Sequence, residues 1–233
     1  MKKTSLIKTS FYLFICFMLF SINLNSQTTA ECAVIKEQLD SIWNADQYSR
    51  VLRQLVQNQH GGNSQEMREL QEDMKIQDAQ NLEIVTEILD KYGWIGSDRI
   101  GEQANVVFYL VLQKADTDVK EKYLPLLRDA VANGDALPNH LALIEDVVAL
   151  SKGQKQIYGT QVVFDQELNR FYVRPLQDPD NVDFRRMMIS LPPMDTYLNS
   201  WNMRWDVEEY KSNLPLIIER DKILLEKASK QIN

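Results

Sequence analysis

The densest run of hydrogen-bonding side chains in this 233-residue sequence is Gly153-Gln154-Lys155-Gln156-Ile157-Tyr158-Gly159-Thr160-Gln161. Gln156, Tyr158, Thr160 and Gln161 bring amide, phenol and hydroxyl groups to one turn of chain. On an extended strand Gln156, Tyr158 and Thr160 share a face, because side chains alternate. Asp146 adds a carboxylate from the helix upstream. Gln113-Lys114-Ala115-Asp116, the polar end of an apolar helix, adds an amide and an ammonium group. Gln113, Lys114, Asp146, Gln156, Tyr158, Thr160 and Gln161 are therefore the candidate ligand-binding set. With Asp146 as base, and Tyr158 or Lys114 as acid or charge stabiliser, the set suits a hydrolase. Without turnover it suits a binding site for a small polar or peptidic ligand. The same residues also suit a buried network that fixes a hairpin to its helices.

Other chemistries lack their pattern. His60 and His140 are the only histidines, and neither has a Cys, His or acidic partner at zinc-ligand spacing. His140 follows a proline at a helix start, which suits capping or a surface position. No G-x-S-x-G elbow, phosphate-cradling glycine loop or dinucleotide fingerprint occurs. No metal and no cofactor is expected.

The groups must be positioned by helices. Ala104–Leu112, ANVVFYLVL, is apolar on every side of a helical wheel. Such a helix is wrapped by protein, and nine residues are far too few to span a membrane. It is read as a buried central helix. Before it, Glu31–Gln57 carries apolar residues at helical spacing, ended by His60-Gly61-Gly62. A second helix starts at Asn63, with Glu66 at capping-box spacing, and runs to about Tyr92. Gly93 ends it, and Ser97 is placed as the next cap. After it come Asp118–Asn133, in which Pro125 should kink the helix or mark a restart, and Asn139–Ser151. In the latter Asp146 is placed at the rim of an apolar arc. Ile157–Phe164 and Arg170–Arg174 read as one β-hairpin. Short helices at Asp180–Ser190 and from Leu191 to Trp201 follow, then Val207–Asn213 capped by Asp206. A separate amphipathic helix, Leu214–Gln231, bearing Leu216, Ile217, Ile223, Leu224 and Ala228, ends the chain.

The totals narrow the function. Lys2, Lys3 and Lys8, the apolar run Phe11–Phe20 and the small residue Ser26 form the three parts of a secretory signal. Its removal takes three lysines and no acids, so the net charge of −7 becomes −10. An acidic protein with scattered cations is poorly suited to nucleic acid or to anionic membranes. Cys16 leaves with the signal. Cys32 alone cannot form an internal disulfide. The expected product is exported, periplasmic or secreted, with no membrane span after signal removal.

YGWIG, the helix ending LVLQKAD, KYLPLLRDAV, LALIEDVVAL-SKGQKQIYGTQ, VRPLQDPDNVDFRR and WDVEEYKSNLP together resemble a bacterial family, the domain of unknown function 6624. The resemblance spans roughly Tyr92 to Pro215. That family usually shows Gln-His where this chain has Gln113-Lys114, and Asp-Arg where it has Asp146-Val147. If the family's histidine is an acid, base or ligand, Lys114 replaces it only with a strongly lowered pKa. The absent arginine removes an ion-pair partner of Asp146. The recurring polar set implies a site and names no reaction.

The fold expected is mainly α, a single-domain helical bundle around a buried central helix with one small β-hairpin. Its parts are a signal over 1–26, a helical pair over 27–91, a core over 92–215 and a C-terminal helix over 216–233. The function expected is that of a binding module with a degenerate polar site. A hydrolase using Asp146 and Tyr158, and a structural or adaptor protein using the charged Gln65–Gln80 helix, are the alternatives.

Overall fold

A computed structural model describes the backbone over residues 3–231 and the side chains over residues 29–227. The segment expected to be an export signal, with its Cys16, therefore lies outside the described side chains, as does Ala228. Among the described residues there are nine α-helices and one antiparallel hairpin. The chain divides inside the fourth helix into two compact units, Met1–Phe108 and Tyr109–Asn233. None of the helices among the described residues is long and apolar enough to cross a membrane.

The first unit is built on α1 (Lys3–His60) and α2 (Gln65–Tyr92), which pack on each other. Cys32, Ile35, Leu39 and Ile42 of α1 and Val85, Ile88 and Leu89 of α2 are buried. Ser64, not Asn63, caps α2: its hydroxyl accepts from Met67 N at 3.0 Å. The shift by one residue follows from Ser64 having the extended backbone (φ −69°, ψ 166°) that a cap needs. Gly93 ends α2 at φ +72°. Beyond it, Gly96 rather than Ser97 takes the cap position of α3 (Ser97–Ile100). Ile95 is buried and Trp94 packs against Phe108, with ring centroids 5.1 Å apart. Asn105 is buried and donates to the Ile95 carbonyl at 2.7 Å. In α4 (Glu102–Leu112) Ala104, Val107, Phe108, Tyr109, Val111 and Leu112 are buried. Only Val106 and Leu110, neighbours on one side, are half-buried.

In the second unit α5 (Thr117–Ala132) packs on α6 (Pro138–Ser151). Helix α5 runs through Pro125 without a restart. The hairpin pairs β1 (Val162–Asp165) with β2 (Arg170–Val173), Val162 opposite Val173 and Asp165 opposite Arg170. The strands are shorter than expected, because 157–161 are held by side chains rather than by a ladder. A 3-10 turn, Pro179–Asn181, leads into α7 (Val182–Met188). Helix α8 (Met194–Leu198) and a second 3-10 turn follow.

The two expected C-terminal helices are one, α9 (Val207–Gln231). Asp206 caps it, accepting from Glu208 N and Glu209 N at 3.0 Å each. Pro215 lies inside this helix. A proline removes one hydrogen bond, but the buried positions Tyr210, Ile217 and Asp221 and the half-buried Leu214 and Leu224 keep helical spacing across it. Burial in one register outweighs the lost bond. Paired ions fasten α9 to the hairpin. Arg174 Nε and Nη2 reach Asp221 at 2.5 and 3.2 Å. Arg220 reaches both oxygens of Asp165 at 2.7 Å, and holds that carboxyl down at about 2.

Candidate functional site

The candidate site is the loop Gln156–Gln161, and the second unit satisfies its peptide groups from two sides. Helix α6 supplies Asp146, which is fully buried instead of lying at the rim of its arc. Its Oδ1 accepts from Ile157 N at 2.7 Å and Tyr158 N at 3.0 Å. Its Oδ2 accepts from Thr160 N and Thr160 Oγ1, both at 2.9 Å. One carboxylate thus takes three consecutive-turn N–H groups and a hydroxyl, a number of donors suited to its four lone-pair directions.

The loop's carbonyls turn the other way, to cations and a phenol. Arg185 Nε donates to the Ile157 carbonyl at 2.9 Å, and Arg186 Nη1 to that of Tyr158 at 2.7 Å. Tyr197 Oη donates to the Thr160 carbonyl at 2.7 Å. Arg186 is as buried as Asp146. Its Nε donates to the Pro192 carbonyl at 2.6 Å, and its Nη2 has no acceptor among the described residues. The guanidinium lies 4.6 Å from the Tyr197 ring centroid, where the ring's negative face takes part of its charge. A buried anion and a buried cation therefore hold one strip of backbone between them, and neither is isolated in the interior.

Gln156 closes the ends of the loop. Its Oε1 accepts from Gln161 N at 2.8 Å, while its Nε2 donates to the carbonyls of Gln161 and Arg174 at 3.1 and 2.9 Å. Its own N–H donates to the Pro175 carbonyl at 2.8 Å, and its carbonyl accepts from Gln177 N at 2.8 Å. Gly159 makes the turn at φ +68°, a region where a side chain is strained. A Cβ there would also sit 2.8 Å from Met194 Sδ.

Burial pushes the Asp146 carboxyl up from its ordinary range, and the donors from Thr160, Tyr158 and Ile157 hold back the rise. Burial lowers Arg186, and Tyr197, Asp183 and Asp146 oppose that fall. Tyr158 is pushed up by burial, then by Glu145 and Asp146. At neutral pH it is a neutral phenol, able to donate and accept.

Asp146, Gln156, Thr160 and Gln161 of the candidate set are brought together, with Tyr158 between them. Their roles differ. Asp146, Gln156 and Thr160 face inward and shape the loop. Asp146 has no oxygen left for a reacting proton, so its work is positioning. Tyr158 and Gln161 are half-buried and form the loop's outward face. Gln161 Nε2 donates to Thr160 Oγ1 at 3.0 Å, which orients its amide through Thr160 onto Asp146. Beside Tyr158 stands the ion pair of Arg128 Nε and Glu145 Oε1, 2.7 Å apart, and both groups act on the phenol's ionisation.

Gln113 and Lys114 form the turn after α4, donating to the carbonyls of Tyr109 and Val111 at 2.8 and 3.1 Å. The clamp on the loop is complete without them. Tyr109 connects the end of α4 to it: its ring stacks on His140 at 3.8 Å, and Tyr197 is close enough to raise its pKa together with burial. Burial also lowers His140 to about 4, so it is a half-buried, neutral, stacked ring, and Leu137 rather than His140 takes the cap position of α6.

Arg185, Arg186 and Tyr197 were not among the sequence candidates. Their signal was the Arg-Arg pair in VDFRRMM: α7 turns Val182 and both arginines inward and leaves Phe184, Met187 and Met188 exposed, the reverse of an ordinary amphipathic helix. Among the described residues no group of His, Cys, Asp and Glu is arranged to hold a metal ion.

Neither the curated proteins nor the solved structures contain a match to this chain. A family model does match, over residues 34–207, which takes in α6, the clamped loop, α7 and α8. The chain therefore belongs to the family of unknown function DUF6624.

Proposed function

We propose that the protein is an exported binding module for a small polar or peptidic ligand, with Tyr158 and Gln161 as the ligand-facing residues. One observation carries this reading: the inward N–H groups of Ile157, Tyr158 and Thr160 are spent on Asp146, and the carbonyls of Ile157, Tyr158 and Thr160 on Arg185, Arg186 and Tyr197, while the Tyr158 hydroxyl and the Gln161 amide oxygen remain for a partner. A loop pre-set this firmly loses little freedom when a ligand arrives, which favours affinity. The reading is non-catalytic because the Asp146 carboxylate is saturated by the loop, Glu145 is paired with Arg128, and His140 is stacked rather than poised for proton transfer. The aromatic ring and amide suit a ligand that offers hydrogen-bond donors and a flat face, such as a peptide bond. Export rests on the Lys2, Lys3 and Lys8 start and the apolar run after it.

A thermal-shift screen against amino acids, dipeptides, sugars and nucleotides tests it. A ligand present at about 100 times its Kd stabilises the folded state by about 2.7 kcal/mol. The expected result is a ligand that raises the Tm of the native chain and fails to raise that of Tyr158→Phe or Gln161→Leu. Equal shifts in the native chain and both variants would refute the assignment. Restoring the family's pattern with Lys114→His and Val147→Arg should tighten binding of the same ligand; an unchanged Kd would remove the case for a degenerate site.

A further inference from the structure

Helix α1 carries an outward face that its packing on α2 does not use. Asn44, Tyr48, Val51, Leu55 and Asn58 follow one another at steps of four and three, the spacing of a coiled-coil seam. All five are exposed; Tyr48, Val51 and Leu55 retain 68, 60 and 49 % of their surface. The residues beside the seam are Gln47 and Gln54, also uncharged. The nearby charges, Asp46, Arg50 and Arg53, lie on other faces of the wheel, where Arg50 Nε pairs with Asp46 Oδ2 at 2.7 Å.

We propose that this seam is the contact through which two copies of the chain associate, as an antiparallel helix pair. Two observations select a second copy as the occupant. Each chain carries a net charge of −7, so copies meet with least repulsion on a face that bears no charge. The seam is also self-complementary. With a two-fold axis level with Arg53, Val51 meets Leu55 of the second copy, and Tyr48 meets Asn58 of the second copy. The pairing then has an apolar centre and a hydrogen-bonding rim, as isologous interfaces do. In each copy Gln54 Nε2 already donates to Asn58 Oδ1 at 3.0 Å, which leaves the Asn58 amide nitrogen to donate across the axis. A parallel pair would instead stack Asn on Asn and Tyr on Tyr, and would align the helix dipoles.

The seam spans only about 21 Å at a rise of about 1.5 Å per residue. Association therefore belongs at the weak end, with a Kd on the order of 10–100 µM. Sedimentation of the full chain across that range of concentration tests it. The mass should climb from 27.1 kDa toward twice that value. Val51→Asp and Leu55→Lys should each weaken association at least tenfold. Both positions are exposed, and unchanged far-UV circular dichroism will verify that the variants fold. Mixing the two variants in equal amounts should restore the dimer, since the introduced carboxylate and ammonium then face each other. A native chain that stays monomeric, a variant that associates like the native chain, or a mixture that stays monomeric would each overturn the proposal. Association driven by the apolar N-terminal run would appear as insensitivity to both substitutions, and counts against it as well.

Discussion

Asp146→Asn is the sharpest probe of the clamped loop. The substitution keeps the size and shape of the side chain and replaces one acceptor oxygen by an NH2 group. Whichever way the amide turns, backbone donors meet another donor: either Ile157 N and Tyr158 N, or Thr160 N, whose neighbouring hydroxyl can rotate to accept instead. One or two buried donors are then left without an acceptor, at about 1–3 kcal/mol each, so the variant should lose about 1–6 kcal/mol. For a domain of this size about 1 kcal/mol moves Tm by about 2–4 °C, which puts the fall in the range of roughly 2–24 °C. Chemical denaturation with a constant m-value is the assay. The companion variant Arg186→Met removes the cation on the other side of the loop. Because each charge is compensated through the same strip of backbone, the double variant should be less destabilised than the sum of the singles by about 1 kcal/mol or more. A loss under about 1 kcal/mol for Asp146→Asn, or strict additivity with Arg186→Met, would show that the loop holds its shape without the clamp.

Three further outcomes are expected. His140 has a folded pKa of about 4, below its ordinary value of about 6.5. The unfolded chain binds the extra proton first, so stability is fully present above pH 6.5 and falls as pH drops toward 4. The loss should be about 1–3 kcal/mol after allowance for partial exposure, and His140→Phe should flatten that part of the stability–pH curve. Gly159→Ala places a Cβ at φ +68° and against Met194, and should cost about 1–3 kcal/mol by urea denaturation; a neutral effect would mean that the turn relaxes freely. Pro215→Ala should stabilise α9 by about 1–3 kcal/mol, since Pro215 is exposed and interrupts an otherwise continuous helix; an unchanged Tm would show that the helix is bent there to advantage.

Much of the architecture is written in local pattern. The apolar run Val106–Leu112 could only be a wrapped helix, and its residues are buried or nearly so. Gly93 and Asp206 announce a helix end and a helix start through backbone freedom and side-chain reach alone, and both act as such. The Val-, Phe- and Tyr-rich pair of runs around Asp165–Asn169 is a hairpin for the same kind of reason. The polar run Gln156–Gln161 could be picked out by its composition, together with Asp146.

What those polar residues do was settled by distant partners. Spacing along the chain cannot say that Asp146 is saturated by Ile157, Tyr158 and Thr160, since that depends on where α6 ends relative to the loop. Nor can it turn Arg185 and Arg186 inward, against the usual preference of cations for water. The carbonyls of Ile157 and Tyr158, left facing that way once Asp146 has taken the N–H groups, join those of Gln177, Asp178 and Pro192 in making burial of those cations favourable. The continuity of α9 through Pro215 has the same origin, because burial of Tyr210, Ile217 and Asp221 in one register outweighs a single lost bond. Local sequence determines which backbone shapes are cheap. Tertiary structure decides which polar groups share a dry interior, because there each donor must find its acceptor wherever in the chain that acceptor lies.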